Sequence, residues 1–486
     1  MSDKPQAEAT TATVKFPHRS RRGILLGLTA PQLIVVALTG LLLLAVILTR
    51  GVVGALELIP LWAVIALLAF VRYRGRALAD WAPIVIRYVL RRMRGQLIWL
   101  ARPSRRPIRE GLLHLPGTAA SLRVVTAPDR RYGAVHNPHT GTLTAVVKVS
   151  SRAYALLDPG TQNANVNGWG RALAALARTG QVARIQVIER TVPDSGDALR
   201  RYWEEHGQPD APVAGAIYSE LIQSAGPAAA PHEAYVAVSL DAKAARRLIN
   251  QAGGGLTGSF SVLAQLTSTF DQAARTAGLN PTGWLTAQEI AAVVRTAYDP
   301  KALAALDRWS TAGRPAAAGP VVVVEKSDHI ATDSAVHATY WVENWPRTET
   351  SAGFLHQLLF TAGVRRTLSL SYEPKGLDAA LRDVQRKKAS VIADAAERAR
   401  RGQVDSEADS IEYQDIKSRE RQLIAGHADV ALTGLLTVSA DSEEELRSAC
   451  AVVETAAVGA QLDIRPLTWQ QAEAFTAAAM PLALAS

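Results

Sequence analysis

The chain has 486 residues, of which 48% are hydrophobic and 20% charged, a folded profile too long for one core, so two or three units are expected. Its one cysteine, Cys450, excludes an internal disulfide and a cysteine-built zinc site. The net charge of +9 is local: residues 1–110 hold 17 Lys and Arg against 5 Asp and Glu, leaving 36 against 39 beyond, so the charge gives no support to a DNA-binding domain after residue 110.

Residues 1–20 are polar and are expected to form a disordered N-terminus. The basic cluster HRSRR at 18–22 supplies Arg19, Arg21 and Arg22. The run at 24–48, ILLGLTAPQLIVVALTGLLLLAVIL, carries no charge over 25 positions. That is longer than the roughly 20 residues needed to cross a bilayer and too long for a cleaved signal core. A connector with Arg50 and Glu57 leads to LIPLWAVIALLAFV at 58–71, which predicts a second span, with a membrane-buried re-entrant segment as the alternative. Arg72, Arg74 and Arg76 follow at once. Basic residues on both outer flanks place both ends in the cytoplasm and make 21–76 a transmembrane helical hairpin.

At 77–110, Trp81, Ile84, Val85, Tyr88 and Val89 recur at helical spacing beside Arg91 and Arg92. The pattern predicts an interfacial helix and linker, with arginines reaching anionic lipid headgroups. The competing reading is an ordinary amphipathic helix packed on its own domain. The expected membrane-anchoring set is Arg19, Arg21, Arg22, Arg72, Arg74, Arg76, Trp81, Arg91 and Arg92.

Beyond the linker, β and α patterns alternate. In 111–320 the strands GTLTAVVKVS (141–150), QVARIQVIER (181–190) and EAYVAVSL (233–240) are separated by helical stretches. PAAAGP at 315–320 reads as a hinge. In 321–486 the strands are VVVVEK, VHATYWVENW, VRRTLSLSYEP, DVALTGLLTVSA and QLDIRPL. A charged insertion at 376–426 has the composition of two antiparallel helices. Strand-helix-strand, insertion, strand-helix-strand is the ferredoxin-like split pattern, and 111–320 is compatible with a degenerate copy. The predicted class is α+β: a two-helix transmembrane hairpin followed by a cytoplasmic α/β region with a long helical-hairpin insertion.

The motifs that carry chemistry are missing. There is no G-x-x-x-x-G-K-[ST] loop, G-x-S-x-G elbow, H-E-x-x-H helix or EF-hand loop. GGGLTGS at 253–259 lacks the phosphate-binding lysine and reads as a break. His329, Asp333 and His337 are spaced by four, but in a loop context, where solvated side chains are the commoner outcome. Asp194 and Ser195 read as turn residues. No catalytic, cofactor-binding or metal residue is expected, and no enzyme.

The stretch HATYWVENWPR at 337–347 concentrates aromatic residues and ends a strand at proline. Trp341 and Trp345, four apart, would share one face of a regular strand. Here the chain resembles the pre-motor region of the large ATPase of conjugative type IV secretion systems. GTLTAVVKVSSRAYALLDPGTQ and QLDIRPLTWQQAEAFTAAAMPLA resemble that region's opening and closing segments. Residues 20–100 resemble the small two-helix inner-membrane subunit of the same systems. The resemblance implies a fusion of the two without the motor domain, of a kind found on actinobacterial mobile elements.

The implied function is a non-enzymatic membrane scaffold of a conjugative type IV secretion-like apparatus at the cytoplasmic face. Its implied partners are an ATPase supplied by another chain, other membrane subunits and anionic lipid, within an oligomeric complex and without direct nucleic-acid contact. No cofactor is implied, and Trp341, Trp345, Pro346 and Arg347 are the expected domain or partner contact. The alternatives are a membrane-tethered enzyme acting on envelope substrates and a DNA-handling subunit of the transfer machinery.

Overall fold

A computed structural model describes residues 13–14, 16, 30–73, 76–101, 110–129, 131–151, 156–192, 203–207, 213–225, 232–303, 306, 314–346, 348–400, 407–425 and 428–485. Arg19, Arg21, Arg22, Arg74, Asp194, Ser195 and Arg347 lie outside the described residues. The chain divides into two compact units, one of residues 18–99 with 468–470, the other of 1–17, 100–467 and 471–486.

The first unit contains α1 (Ala30–Glu57), α2 (Ile59–Phe70) and α3 (Leu78–Met93). Where the sequence predicts two spans, the described residues hold one helix long and apolar enough to cross a membrane, Pro31–Glu57, with mean hydropathy 2.6. The second apolar run forms a helix of 12 residues, about 18 Å at 1.5 Å per residue and so too short to cross alone. The predicted pair of full-length spans is therefore corrected to one qualifying helix.

The helices divide at a different place from the predicted runs: α1 continues through the connector to Glu57, interrupted at Gly51, and leaves 12 residues to α2. At Gly51, φ of 68° and ψ of −173° break the helical geometry inside α1, a conformation that glycine adopts without steric cost. The residues after it join the α2 side of the turn, where Trp62 Nε1 donates to Ala55 O at 3.0 Å. At the other end, Gln32 Nε2 donates to Ala69 O at 2.8 Å, so the chain returns to where α1 began. On α3, Ile86, Val89, Leu90 and Met93 are exposed while Trp81 is buried at 3%. Trp81 thus packs within its unit, edge-on to Trp469 at 5.4 Å. Arg91 is half-buried and Arg92 exposed.

The second unit is built on an antiparallel sheet. A short strand β1 (Thr13–Val14) comes first, followed by β2 (Arg123–Thr126), β3 (Gly133–Asn137) and β4 (Thr142–Ser151). Next come α4 (Pro159–Arg178), β5 (Val182–Thr191), α5 (Ala214–Ala225), β6 (His232–Asp241), α6 (Arg246–Gln251), α7 (Gly255–Thr276), β7 (Leu279–Trp284) and α8 (Ala287–Tyr298). The pairings β7–β4, β4–β6 and β6–β5 give the four strands the spatial order fourth, first, third, second.

The arrangement then repeats. It comprises β8 (Val322–Glu325), β9 (Ile330–Ala331), β10 (Val336–Asn344), β11 (Thr350–Ser351), α9 (His356–Leu359) and β12 (Arg365–Lys375). It continues with α10 (Leu377–Arg400), α11 (Glu407–Ile424), β13 (Asp429–Ala440), α12 (Glu443–Gly459), β14 (Asp463–Pro466) and α13 (Gln471–Ala478). The pairings β14–β10, β10–β13 and β13–β12 reproduce the same order. The second strands of the two copies, β5 and β12, pair antiparallel from Thr367↔Arg190 to Tyr372↔Ile185. One sheet therefore runs through both copies, and both belong to one compact unit. The charged insertion occupies the connection between second and third strands, the place that α5 takes in the first copy.

Alternation along the strands sorts the residues onto two faces. On one, β4 residues Leu143, Ala145 and Val147 pack with Leu263, Leu266 and Phe270 of α7. On the same face of the second copy, Val336, Ala338, Tyr340 and Val342 pack with Leu446, Val453 and Ala457 of α12. The opposite face is buried but polar. Thr144 donates to Ser239 at 3.0 Å, Gln186 to Ser369 at 2.9 Å, and the Thr339 and Thr437 hydroxyls lie 3.1 Å apart. Within the insertion, Ala380, Val384, Val391, Ile416 and Leu423 form the apolar seam, and Lys388–Glu420 bridges the two helices at 2.9 Å.

Candidate partner-docking site

Trp341 and Trp345 do not share a face. Register along β10 runs Trp341↔Arg465 and Val342↔Ile464, then shifts so that Asn344 opposes Asp463. Glu343 is the extra residue of a β-bulge, and one inserted residue reverses the parity of everything after it. Trp341 consequently packs with Leu435, Ala477 and Ala478 on the polar-side face, its ring 5.1 Å from the Arg465 guanidinium. Trp345 turns to the α12 side and joins the Val342 and Leu436 cluster. Pro346, which is buried, follows the end of β10.

The seat of Trp345 is shaped by Gly434 on β13. A Cβ at that position would stand 2.8 Å from Trp345 Cζ2 and 2.9 Å from Val342 Cγ2. Glycine at 434 therefore lets the indole lie against the strand. Around the ring, Phe16 stacks at 4.9 Å between centroids with a 20° interplanar angle, and Phe354 meets it edge-on at 6.5 Å. Phe16 also contacts Phe354 at 5.5 Å, and β1 adds to β11 through Thr13↔Ser351 and Val14↔Thr350. Beside Trp345 an open cleft is bounded by Asn344, Thr348, Val458, Gln461 and Asp463. There Asn344 Nδ2 donates to Asp463 Oδ2 at 2.8 Å, and Val458 is 75% exposed.

The histidine and aspartate residues singled out by spacing are separated by the fold. The Asp333 carboxylate accepts from the backbone N–H of Val321 and of Val322, each at 2.8 Å, and pairs with Arg295 at 2.9 Å. It staples a loop. His337 is buried, with Nε2 3.0 Å from Thr332 Oγ1 and Nδ1 2.8 Å from Ser439 Oγ. Burial, aided by the charge of Arg365, pushes its pKa down to about 3 and holds it neutral. His329 contacts Asp328 and lies 3.6 Å from Glu443. No group of three metal-capable side chains is present among the described residues. At 253–255 all three glycines have positive φ, which ends α6 and starts α7.

The most constrained polar side chains were not singled out from the sequence. Gln471 is fully buried; its Oε1 accepts from Thr339 N at 2.8 Å and its Nε2 donates to Thr339 O at 3.2 Å and Leu467 O at 3.1 Å. Gln186 donates to Ala477 O at 2.9 Å and accepts from Ala483 N at 2.7 Å. Together they lash the chain's last segment across the sheet. Arg190 is buried against Glu233 at 2.7 Å and donates to Thr296 Oγ1 at 3.0 Å. Burial alone would raise the Glu233 carboxyl, but Arg190 and Lys148 outweigh it and bring its pKa down to about 2. A signal was available: Gln186 and Arg190 lie four apart on one face of a strand, with the apolar Ile188 between them. These groups are fully engaged with the fold, so the open chemistry of the unit is its aromatic notch and adjoining cleft, which suit contact with a polypeptide.

Residues 228–342, from β6 to the end of the regular part of β10, match the family model described as "Putative type VII ESX secretion system translocon, EccE". No curated protein matches the chain. The family match is to a type VII translocon component, so the conjugative type IV part of the sequence resemblance is not what it supports. What the two have in common stands: the match points to a membrane component of a secretion system.

Proposed function

We propose that the chain is a non-enzymatic membrane subunit of a secretion translocon, anchored through its N-terminal apolar helices. In this reading the duplicated α+β body stands at the cytoplasmic face as a platform for other subunits. The observation that carries the proposal is the EccE family match over 228–342. It is supported by the helix Pro31–Glu57, whose length and apolarity suffice to cross a bilayer, and by the arginine-rich flanks that favour cytoplasmic ends. Gly51 and the Gln32–Ala69 contact favour an apolar segment that enters and returns, the residues after Gly51 lengthening the return leg beyond the 12 of α2 alone. The arginines of α3 beside exposed Ile86, Val89 and Met93 suit anionic lipid.

The partners in this reading are the other membrane subunits of the translocon and a separately encoded ATPase received on the body. Deleting the gene and following a fluorescently tagged translocon ATPase tests the platform role. Loss of its membrane localisation, restored by the full chain, is the expected result. An ATPase that assembles at the membrane equally well without this chain contradicts it.

A further inference from the structure

We propose that Trp345, Phe354 and the Thr350–Ser351 edge form a docking notch for the chain's own Thr13–Phe16. This docking holds the segment ahead of the apolar helices on the same membrane face as the α+β body.

The notch is a built feature. The bulge at Glu343 turns Trp345 toward it, the missing Cβ of Gly434 lets the indole settle, and Phe354 closes the side. Its occupant combines two kinds of recognition. Backbone pairing through Thr13↔Ser351 and Val14↔Thr350 fixes register, as in recognition by strand addition. The Phe16 ring, 4.9 Å from Trp345 and 5.5 Å from Phe354, supplies the anchor.

Connectivity turns this contact into a topological statement. Thr13–Phe16 precedes α1, and the body follows α3, yet 1–17 and the body belong to one compact unit. A strand pairing and a ring stack cannot form through a hydrocarbon core about 30 Å thick. Granted the membrane-inserted reading above, on which this inference rests, the apolar segment must enter and leave through one face. Independently, the Gln32–Ala69 contact brings the two ends of that segment together. Only two paired residues and one ring make the contact, so the latch is releasable and not a permanent part of the core.

The test uses the full chain with Cys450→Ser, Val14→Cys and Thr350→Cys in isolated native membranes, with copper–phenanthroline and dissolved oxygen as the oxidant of the two thiols. Directly opposed strand residues lie within disulfide reach. The expected result is an intrachain disulfide whose yield falls about five- to tenfold with Phe16→Ala and recovers with Phe16→Trp. A bond joining two chains overturns the same-chain occupant. Absence of any bond, or a yield indifferent to Phe16→Ala, overturns the docking. Single-cysteine chains labelled with an impermeant maleimide supply a second readout: Val14→Cys and Thr350→Cys reacting from opposite faces overturn the one-face claim. Alkaline extraction reports membrane insertion separately. A chain that is washed off overturns that reading, while the disulfide still decides the docking.

Discussion

Trp345 lies against Gly434, at the point where a Cβ would come within 2.8 Å of its ring. The two residues sit on neighbouring strands, and one needs the absence of a side chain on the other. Gly434→Ala therefore displaces the indole, or the strand beneath it. Over-packing of this kind costs about 1–3 kcal/mol, and thermal unfolding of the substituted chain checks it. Phe16, which stacks on the displaced ring, should lose contact as well, so protease access near residue 16 should rise in the same variant.

The bulge at Glu343 puts Trp341 and Trp345 in separate clusters. Trp341→Leu and Trp345→Leu should then be additive in stability, with a coupling below about 0.5 kcal/mol. A double-mutant cycle by denaturant unfolding measures it. Strong coupling would mean that the two rings share a face after all.

Gln471→Leu removes a buried amide that answers both Thr339 N and Thr339 O. The backbone groups left behind have no replacement, and orphaning a buried group costs about 1–3 kcal/mol. Leucine is close to glutamine in volume, so a loss of this size identifies the desolvated backbone, and not lost side-chain volume, as the cause. Hydrogen exchange at Thr339 reports the same bond directly.

One buried and one half-buried group make the body acid-sensitive in overlapping windows. His337 is pushed down to about 3 from its ordinary 6.5 by burial first and Arg365 second. Its unfolded form takes a proton more readily, so its contribution is complete above about pH 6.5 and declines as pH falls toward 3. Glu233, held at about 2 against an ordinary 4.5, contributes fully above about pH 4.5 and loses that contribution as pH falls toward 2. Glu233→Gln should flatten the lower limb and His337→Gln the upper limb of a stability–pH curve. Equal slopes in all three proteins would contradict both assignments.

The regular elements were legible because burial imposes periodicity. β10, β12 and β13 alternate or run apolar over nine to twelve residues, and the helical insertion at Leu377–Arg400 and Glu407–Ile424 fills the predicted stretch. The join of β5 to β12 was hidden, since alternation says which residues point inward but not which strand lies alongside. The face of Trp345 depended on a single bulged residue, Glu343, with no compositional mark. The β1 latch is shorter than any window in which period can be counted. The sequence ended its first apolar run at residue 48, whereas α1 continues through the connector to Glu57 with a break at Gly51, which is why the predicted spans and the structural helices differ. The candidate site was legible as an aromatic cluster; its occupant was not.

The most direct measurement is affinity purification of the full chain, tagged after Ser486, from mildly solubilised native membranes, with size analysis of what is recovered. The account predicts resistance to alkaline extraction and recovery in a large assembly together with other membrane subunits of a secretion translocon. A chain that is extracted by alkali and migrates alone would contradict it.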